Sequence, residues 1–292
     1  MTLSDYVVCI RSYKRASVCN EKTLATLKKN KIPASRIYVY VIAEEYDLYK
    51  ETLDKSAYNK LVIGKKGGVQ QSEFIIEQWP EGKHIVCLDD DIASVDLSLS
   101  PMFKRHNLDY FIKTAFKECV KNKAYIWGIY AVFNPFFRGA RKEMTTELNF
   151  IVGAFYGIIN RPKLKSIRLA LTKENGQKDD IERTIQYFIE DGVVLRFNKI
   201  GFTTKYYNNE GGLGTFEDRI KPATEACKKL KAKYPEYGNI KVRGNGMTEF
   251  VLRKIPPNTN MADLPKYGTK SKETNDTKKN KPKNNNTKKT KP

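Results

Sequence analysis

Histidine is nearly missing: His84 and His106 are the only two in 292 residues. Two imidazoles are too few for a histidine-based metal centre, and His106 reads as a surface residue. No two cysteines form a C-x-x-C pair. The five (Cys9, Cys19, Cys87, Cys119 and Cys227) are odd in number and widely scattered. That excludes a disulfide framework and fits a reducing compartment. Cys9 and Cys87 lie inside apolar runs and read as buried thiols. Long apolar stretches are also lacking. The most apolar segment, Phe150–Ile159, has about half the length that a bilayer-spanning helix needs. The chain opens on a strand-like run, "MTLSDYVVCIRSYKR", without a leader pattern. These absences lead us to expect a soluble intracellular protein with no membrane partner. No internal repeat is visible.

Basic charge is what the chain has in excess, with a formal net charge of +20. From Lys266 onward ten lysines face only Glu273 and Asp276, so this tail holds +8 and leaves +12 on the body. An excess of that size favours a polyanionic partner: nucleic acid, a phosphorylated cofactor or an anionic surface. The segment 258–292 has few large apolar residues, and its later part "KSKETNDTKKNKPKNNNTKKTKP" has none. It cannot offset its ordering entropy and is expected to be disordered. It serves either as a solubilising tail or as a nonspecific polyanion tether.

The first hundred residues alternate between strand and helix patterns. Tyr6–Ile10, Arg36–Ala43 and His84–Leu88 are apolar runs of strand type. Asn20–Asn30, with Asn20 as its N-cap, and Gln71–Trp79 read as helices between them. Such alternation implies a mainly parallel sheet flanked by helices, an α/β fold. Ligands then bind beyond the carboxyl ends of the strands. The loops after Ile10, Ala43 and Leu88 should meet there. Further on, Asp109–Asn122 is an amphipathic helix. Tyr125–Phe133 and Phe150–Ile159 read as strands rich in aromatic and β-branched residues. Asp179–Gly192 is a helix that opens on acids and stops at a glycine. Val193–Phe197 is a strand, Tyr206–Phe216 a glycine-rich loop, Arg219–Tyr234 a basic helix and Glu249–Ile255 a last strand.

The third strand runs straight into Asp89, Asp90 and Asp91. Three neighbouring carboxylates repel one another, and a hard cation relieves that repulsion. Mg²⁺ or Mn²⁺ takes one or two protein carboxylates and completes its shell with phosphate and water. The D-x-D spacing turns Asp89 and Asp91 to one side and Asp90 to the other. Three chemistries compete for such a motif. A phosphoribosyl transfer site needs a Thr-Gly-rich loop next, but "IASVDLSLS" has no glycine. A haloacid-dehalogenase-type phosphatase needs D-x-D-x-T early in the chain, but position 93 is Ala and the motif follows the third strand. A nucleotide-sugar transferase places D-x-D about a hundred residues in, as here.

With "VVCIRSYKRA", "TLATLKKNKIPASRIYVYVIAEE", the Gly67–Gly68 loop with its helix, and "HIVCLDDDI" in order, the chain resembles a GT-A glycosyltransferase over roughly residues 6–255. More narrowly it resembles the TET-associated DNA glycosyltransferases, relatives of the base J glucosyltransferase. "GAFYGIINR" and "DDIERTIQYF" match later segments of that group. The resemblance implies a GT-A-like domain over 1–257, with a donor-binding half (about 1–100) and an acceptor half (about 101–257). It implies sugar transfer from a nucleotide sugar, a UDP-hexose such as UDP-glucose, to a hydroxymethylated pyrimidine in DNA. Such enzymes occur in phages and large viruses, which would put this chain in host cytoplasm or nucleus. The same donor chemistry on a glycan, lipid or protein acceptor is the alternative. A nucleic-acid-binding protein on an inactive transferase fold is a third reading.

In these roles Asp89 and Asp91 would hold Mn²⁺ or Mg²⁺ against the diphosphate, with Asp90 on sugar or ribose hydroxyls. Arg11, Ser12, Tyr13 and Arg15 would line the nucleotide pocket, with Tyr13 on the base and an arginine near phosphate. Glu44 or Glu45 would accept a hydrogen bond from base or ribose. Gly67 and Gly68 would offer backbone amides at a helix start, with Lys65, Lys66 and Gln71 beside them. An inverting transfer needs a carboxylate base. Asp180 is the first choice, with Asp179 and Glu182 as alternates; the competing reading is that these acids only complement the helix dipole. On the acceptor side, Arg138, Arg141 and Lys142 would grip phosphates, while Phe136 and Phe137 stack on a flipped base. Asn208–Gly214 would be a lid near the donor.

Overall fold

The computed structural model describes residues 5–174, 176–204 and 214–264. Most of the glycine-rich stretch expected as a lid, and the basic segment from 265 on, lie outside these residues.

Strand β1 (Tyr6–Arg11) sets the pattern for the core. Its side chains alternate between two apolar layers: Tyr6, Val8 and Ile10 enter one, Val7 and Cys9 the other. A strand that is apolar on both faces must be covered on both, and it is. A helical run follows, α1 (Ala16–Val18), a π-helical stretch Cys19–Leu24 and α2 (Ala25–Lys29). It begins four residues before Asn20, so Asn20 is not its N-cap. The Arg15 amide is instead held by the Tyr49 hydroxyl at 3.0 Å, while Asn20 Oδ1 accepts from the Asp54 amide at 2.9 Å. Next come β2 (Ile37–Val41), α3 (Tyr46–Thr52), β3 (Lys60–Ile63), α4 (Gly68–Gln78) and β4 (His84–Asp89). Then follow β5 (Ser94–Asp96), α5 (Leu108–Lys121), β6 (Ile126–Ile129), α6 (Pro135–Gly139), β7 (Met144–Thr145) and β8 (Phe155–Ile159). The chain continues through α7 (Asp179–Asp191), β9 (Leu195–Phe197), β10 (Gly201–Thr203) and α8 (Phe216–Lys233). It closes with the hairpin β11 (Gly238–Val242) and β12 (Thr248–Leu252).

Eight strands form the main sheet in the order β3-β2-β1-β4-β8-β6-β9-β7. β1 to β4, β6 and β9 run in one direction; β8 and β7 oppose them. The expected mixed, mainly parallel sheet flanked by helices is therefore what the chain builds. It draws strands from both halves of the sequence and crosses position 100 without a break. Helices α1 to α3 and α5 pack on one face, and α4, α7 and α8 on the other. Gly157 in β8 lies opposite Trp127 of β6, and a Cβ there would collide with the indole.

Two expected strands are shorter than their apolar runs. The run 125–133 leaves the sheet after Ile129, where Asn134 Oδ1 accepts the Phe136 amide and opens α6. The run 150–159 enters it only at Phe155, because the Ile151 amide donates to Thr184 Oγ1 of α7. Both departures shape the site, since the carboxyl ends of the parallel strands share one edge and these loops lie along it.

Candidate active site

At that edge the loops after β1 and β4 are tied side chain to side chain. Arg11, the last residue of β1, pairs with Asp89, the last of β4, at 2.6 Å. The same guanidinium donates to Ser72 Oγ of α4 at 2.7 Å and to the Gly153 carbonyl at 3.0 Å. Ser12 donates to Asp90 Oδ2 at 2.6 Å and accepts from the Tyr49 hydroxyl at 2.6 Å. Arg15 lies 3.3 Å from Asp90 and 3.7 Å from Asp91. The β1 loop turns on Lys14, which has a left-handed φ of +56°. Its amide reaches Glu45 Oε2 at 2.9 Å. The loops after the first three long apolar strands thus converge as the alternation required.

The three aspartates are not equivalent. Asp90 and Asp91 are buried, while solvent reaches 40% of the Asp89 side chain. Burial raises the Asp90 carboxyl to about 6, against the lowering effects of Ser12 and Arg15. It raises Asp89 as well, and the charges of Asp91 and Asp179 add to that, with Arg11 opposing. The backbone under the acids is held from behind by two threonines. Thr23 Oγ1 donates to the Asp89 carbonyl (2.8 Å) and accepts from the Ile92 amide (2.9 Å), and Thr26 Oγ1 donates to the Ala93 carbonyl (2.9 Å).

On the other side of Gly153 stands the start of α7. Lys178, in the left-handed region at φ +63°, turns the chain into it. Asp180 Oδ2 accepts from the Gly153 amide at 3.3 Å. One residue, Gly153, therefore receives Arg11 on its carbonyl and gives its amide to Asp180. It places the two acid runs on either side of a single glycine. A Cβ there would press on the Asp180 side chain at 3.2 Å. Burial, then the neighbouring Asp179 charge, pushes the Asp180 carboxyl up to about 6; Arg183, Lys178 and the Gly153 amide pull the other way. Asp179 is paired with Arg183 at 2.6 Å, and that guanidinium also lies 4.4 Å from the Tyr156 ring.

Several residues expected at the site are brought there with different work. Asp90 was expected on donor hydroxyls, but its oxygens are engaged by Ser12 and Arg15. Ser12 is likewise buried between Asp90 and Tyr49, and Arg11 is spent on Asp89, Ser72 and Gly153. Glu182 is fully buried with both oxygens occupied. Oε1 accepts the Ala170 and Leu171 amides, and Oε2 the Thr172 amide and hydroxyl. It shapes the 170–172 loop and has no oxygen left for a proton transfer. Gln71 closes its own loop, Oε1 accepting the Lys65 amide at 2.5 Å. Gly67 (φ +100°) and Gly68 open α4 and are exposed, as are Lys65, Lys66 and Glu44; Tyr13 is half-buried. His106 stacks on Tyr110 at the surface.

The sequence reading missed Gly153, Tyr49, Thr23, Thr26, Ser72 and Arg183. Thr23 and Thr26, one turn apart on an otherwise apolar helix face, were the most legible of these, and Arg183 stands four residues after Asp179.

No group of three or more His, Cys, Asp or Glu side chains close enough to hold a metal occurs among the described residues. An all-protein cage is therefore not what this site offers. A smaller donor set fits a hard cation: the open Asp89, whose Oδ2 has no partner among the described residues, with Asp91 two residues on. Burial is the main cause that raises Asp89, the charges of Asp91 and Asp179 add to it, and a bound cation would offset both.

No protein-family model matches the chain, and no curated protein matches it in sequence. Solved structures do resemble it in fold. S. aureus TarS 1-349 is 13% identical with a TM-score of 0.43, over 78% of this chain and 65% of that one. Mannosyltransferase PcManGT from Pyrobaculum calidifontis, solved with GDP-Man and Mn²⁺, is 15% identical with a TM-score of 0.48, over 79% and 64%. A mycobacterial protein is 11% identical with a TM-score of 0.46, over 86% of both chains. The chain thus spans just under two thirds of the first two. No helix among the described residues is long and apolar enough to cross a membrane.

Proposed function

We propose that the chain is a glycosyltransferase that uses a nucleotide sugar, with a hydroxymethylated pyrimidine in DNA as acceptor. The observation that carries the reading is the pair of acid runs at the carboxyl edge, Asp89–Asp91 and Asp179–Asp180, facing each other across Gly153. The strands that build this edge form the mixed, mainly parallel sheet that nucleotide-sugar transferases use. A basic body suits a polyanionic acceptor.

In this reading Asp89 and Asp91 hold Mn²⁺ or Mg²⁺, which supplies Lewis-acid neutralisation of the departing diphosphate. Arg11 keeps Asp89 at the carboxyl edge, and Thr23 and Thr26 fix the backbone below. Asp180, raised by burial, is protonated below about pH 6 and accepts a proton above it. It takes the proton from the acceptor hydroxyl as that oxygen bonds to the anomeric carbon. The bond from that carbon to the diphosphate oxygen breaks with its electrons, on the opposite face, and the anomeric configuration inverts. Asp179 and Arg183 hold the first turn of α7 in place.

The test is incubation with a panel of nucleotide sugars, UDP-glucose among them, with Mn²⁺ and hydroxymethylated DNA, followed by nucleoside mass spectrometry. The expected result is a hexose mass added to the modified nucleoside. No added hexose with any donor overturns the DNA reading.

A further inference from the structure

Away from the two acid runs, the loop leaving β6 stands out. Four exposed large apolar residues fall within six positions: Val132, Phe133, Phe136 and Phe137. Phe136 is 80% exposed and Phe137 51%, with their rings edge to face at 5.4 Å. Two phenylalanines held in water cost free energy, and an unstructured loop would fold them back. Here they are held out. Arg138, expected to grip phosphate, is instead completely buried beneath them. Its Nε donates to the Phe133 carbonyl at 2.8 Å and its Nη1 to the Lys199 carbonyl at 2.9 Å; it also pairs with Asp96. A Cβ on Gly201 would collide with the guanidinium. The strut therefore links the tip to β5 and β10, and Asp96 lies five residues after Asp91. Because β6 runs parallel to β4 within the sheet, the tip rises from the same edge as the acids.

Its flanks are basic. Arg141 lies 4.2 Å from the Tyr130 ring, and Lys142 is exposed beside it. The loops after β1 and β3, on the same edge, expose Lys14, Lys65 and Lys66. Exposed rings set among cations suit a ligand with flat faces and negative charge. A bilayer would ask for a longer apolar face than the five residues of α6. A second copy of the chain would need far more apolar area than two rings offer.

We infer that the Phe136–Phe137 tip stacks on an unpaired base of a polynucleotide bound along this edge, with Arg141 and Lys142 on the flanking phosphates. The inference rests on the DNA reading above and deepens it. A base that is to be modified must leave its stack, and the gap or the extruded base needs an apolar ring to meet it.

The test is fluorescence anisotropy with the full chain, without donor, on a labelled single strand and on a matched duplex. F136A/F137A should weaken single-strand binding by about 10- to 100-fold. The slope of log affinity against log salt should stay unchanged, because no phosphate contact is lost. Phe136→Trp should restore affinity. R141A/K142A should flatten the salt slope. F136A alone serves if the double change lowers Tm. Unchanged affinity in the Phe variants overturns the inference. So does Phe-dependent flotation on phosphatidylserine vesicles with oligonucleotide binding intact. A wild-type chain that binds neither oligonucleotide overturns both this inference and the DNA reading. A chain that binds through the tip but transfers no sugar overturns DNA as the sugar acceptor and leaves the tip standing as a base-binding site.

Discussion

The site is framed by two acid runs that look alike in sequence and are used alike by the fold. Asp89-Asp90-Asp91 ends a buried strand, and Asp179-Asp180-x-Glu182 begins a buried helix. In each run one acid is taken by the scaffold. Asp90 is held by Ser12 and Arg15, Glu182 by the amides of 170–172. In each run another keeps a raised carboxyl at the site, Asp89 in the first and Asp180 in the second. The difference lies in the partners. The strand-end run is neutralised by arginine side chains, which can be displaced or shared. The helix-start acid Glu182 is saturated by backbone amides, which cannot move. A carboxylate facing mobile partners can exchange them for a ligand; one with two or more donors on each oxygen, as Glu182 has, is a structural part. Asp180 stands between the two, with a single backbone amide on each oxygen, from Ile181 and Gly153, and lone pairs left over.

The sharpest way to break the comparison is to remove the open acid of each run. Asp89→Ala should cost at least about 10³-fold in kcat with Mn²⁺ saturating, the scale of losing a cation that stabilises a departing diphosphate. Equal activity would exclude Asp89 as a ligand. Asp180→Asn should cost about 10²- to 10⁴-fold, the range of a general base. Its wild-type profile should fall on the acid side with an inflection near pH 6. The stability effect has the opposite sign to the activity effect. Asp180's folded value lies above its unfolded one, so wild-type stability declines as pH rises from about 4 through 6 and stays lower above. Asn carries no such cost. Asp180→Asn should therefore melt higher than wild type at pH 8, by about 2–4 °C if the net gain is about 1 kcal/mol, and lose that advantage below pH 4. Differential scanning calorimetry at the two pH values reads it. A lower melting point at pH 8 would make Asp180 a scaffold acid like Glu182.

Much of this was legible before any coordinates. The apolar runs around Val8, Val39 and Val86 could only be strands of a covered sheet, and ligand loops follow from that topology. The acids at 89–91 and 179–182 stood out because charge beside an apolar run is costly without a purpose. The division of labour within each run was not legible, because it depends on what approaches from distant sequence. Glu182 meets amides that only the 170–172 turn supplies. Arg11 and Asp89 become partners through the β1–β4 register. Arg138 looked like a phosphate contact because it stands in a basic, aromatic stretch with Arg141 and Lys142, yet β5 and β10 close over it. Asn20 looked like a cap, but Tyr49 and Asp54 reassign that turn.

Scaffold acids should show the reverse signature, with stability lost and chemistry kept. Glu182→Gln places an amide NH₂ against backbone N–H donors that now meet a carboxylate oxygen. About 2–4 kcal/mol should be lost, roughly 10 °C in Tm, while kcat at a permissive temperature falls less than about threefold. The smallest effect belongs to Asp90→Asn, and it is also the most discriminating. Asn retains an oxygen for the Ser12 hydroxyl, and Arg15 still faces Asp91. Removing a charge that burial already disfavours offsets the weakened pairing with Arg15, so stability should change by about 1 kcal/mol or less. If Asp90 is a scaffold acid, KM for the nucleotide sugar stays within about twofold. If it touches donor hydroxyls, loss of a hydrogen bond to a charged group raises KM by about 10- to 100-fold. That single KM decides whether the middle aspartate faces inward to Ser12 or outward to the sugar.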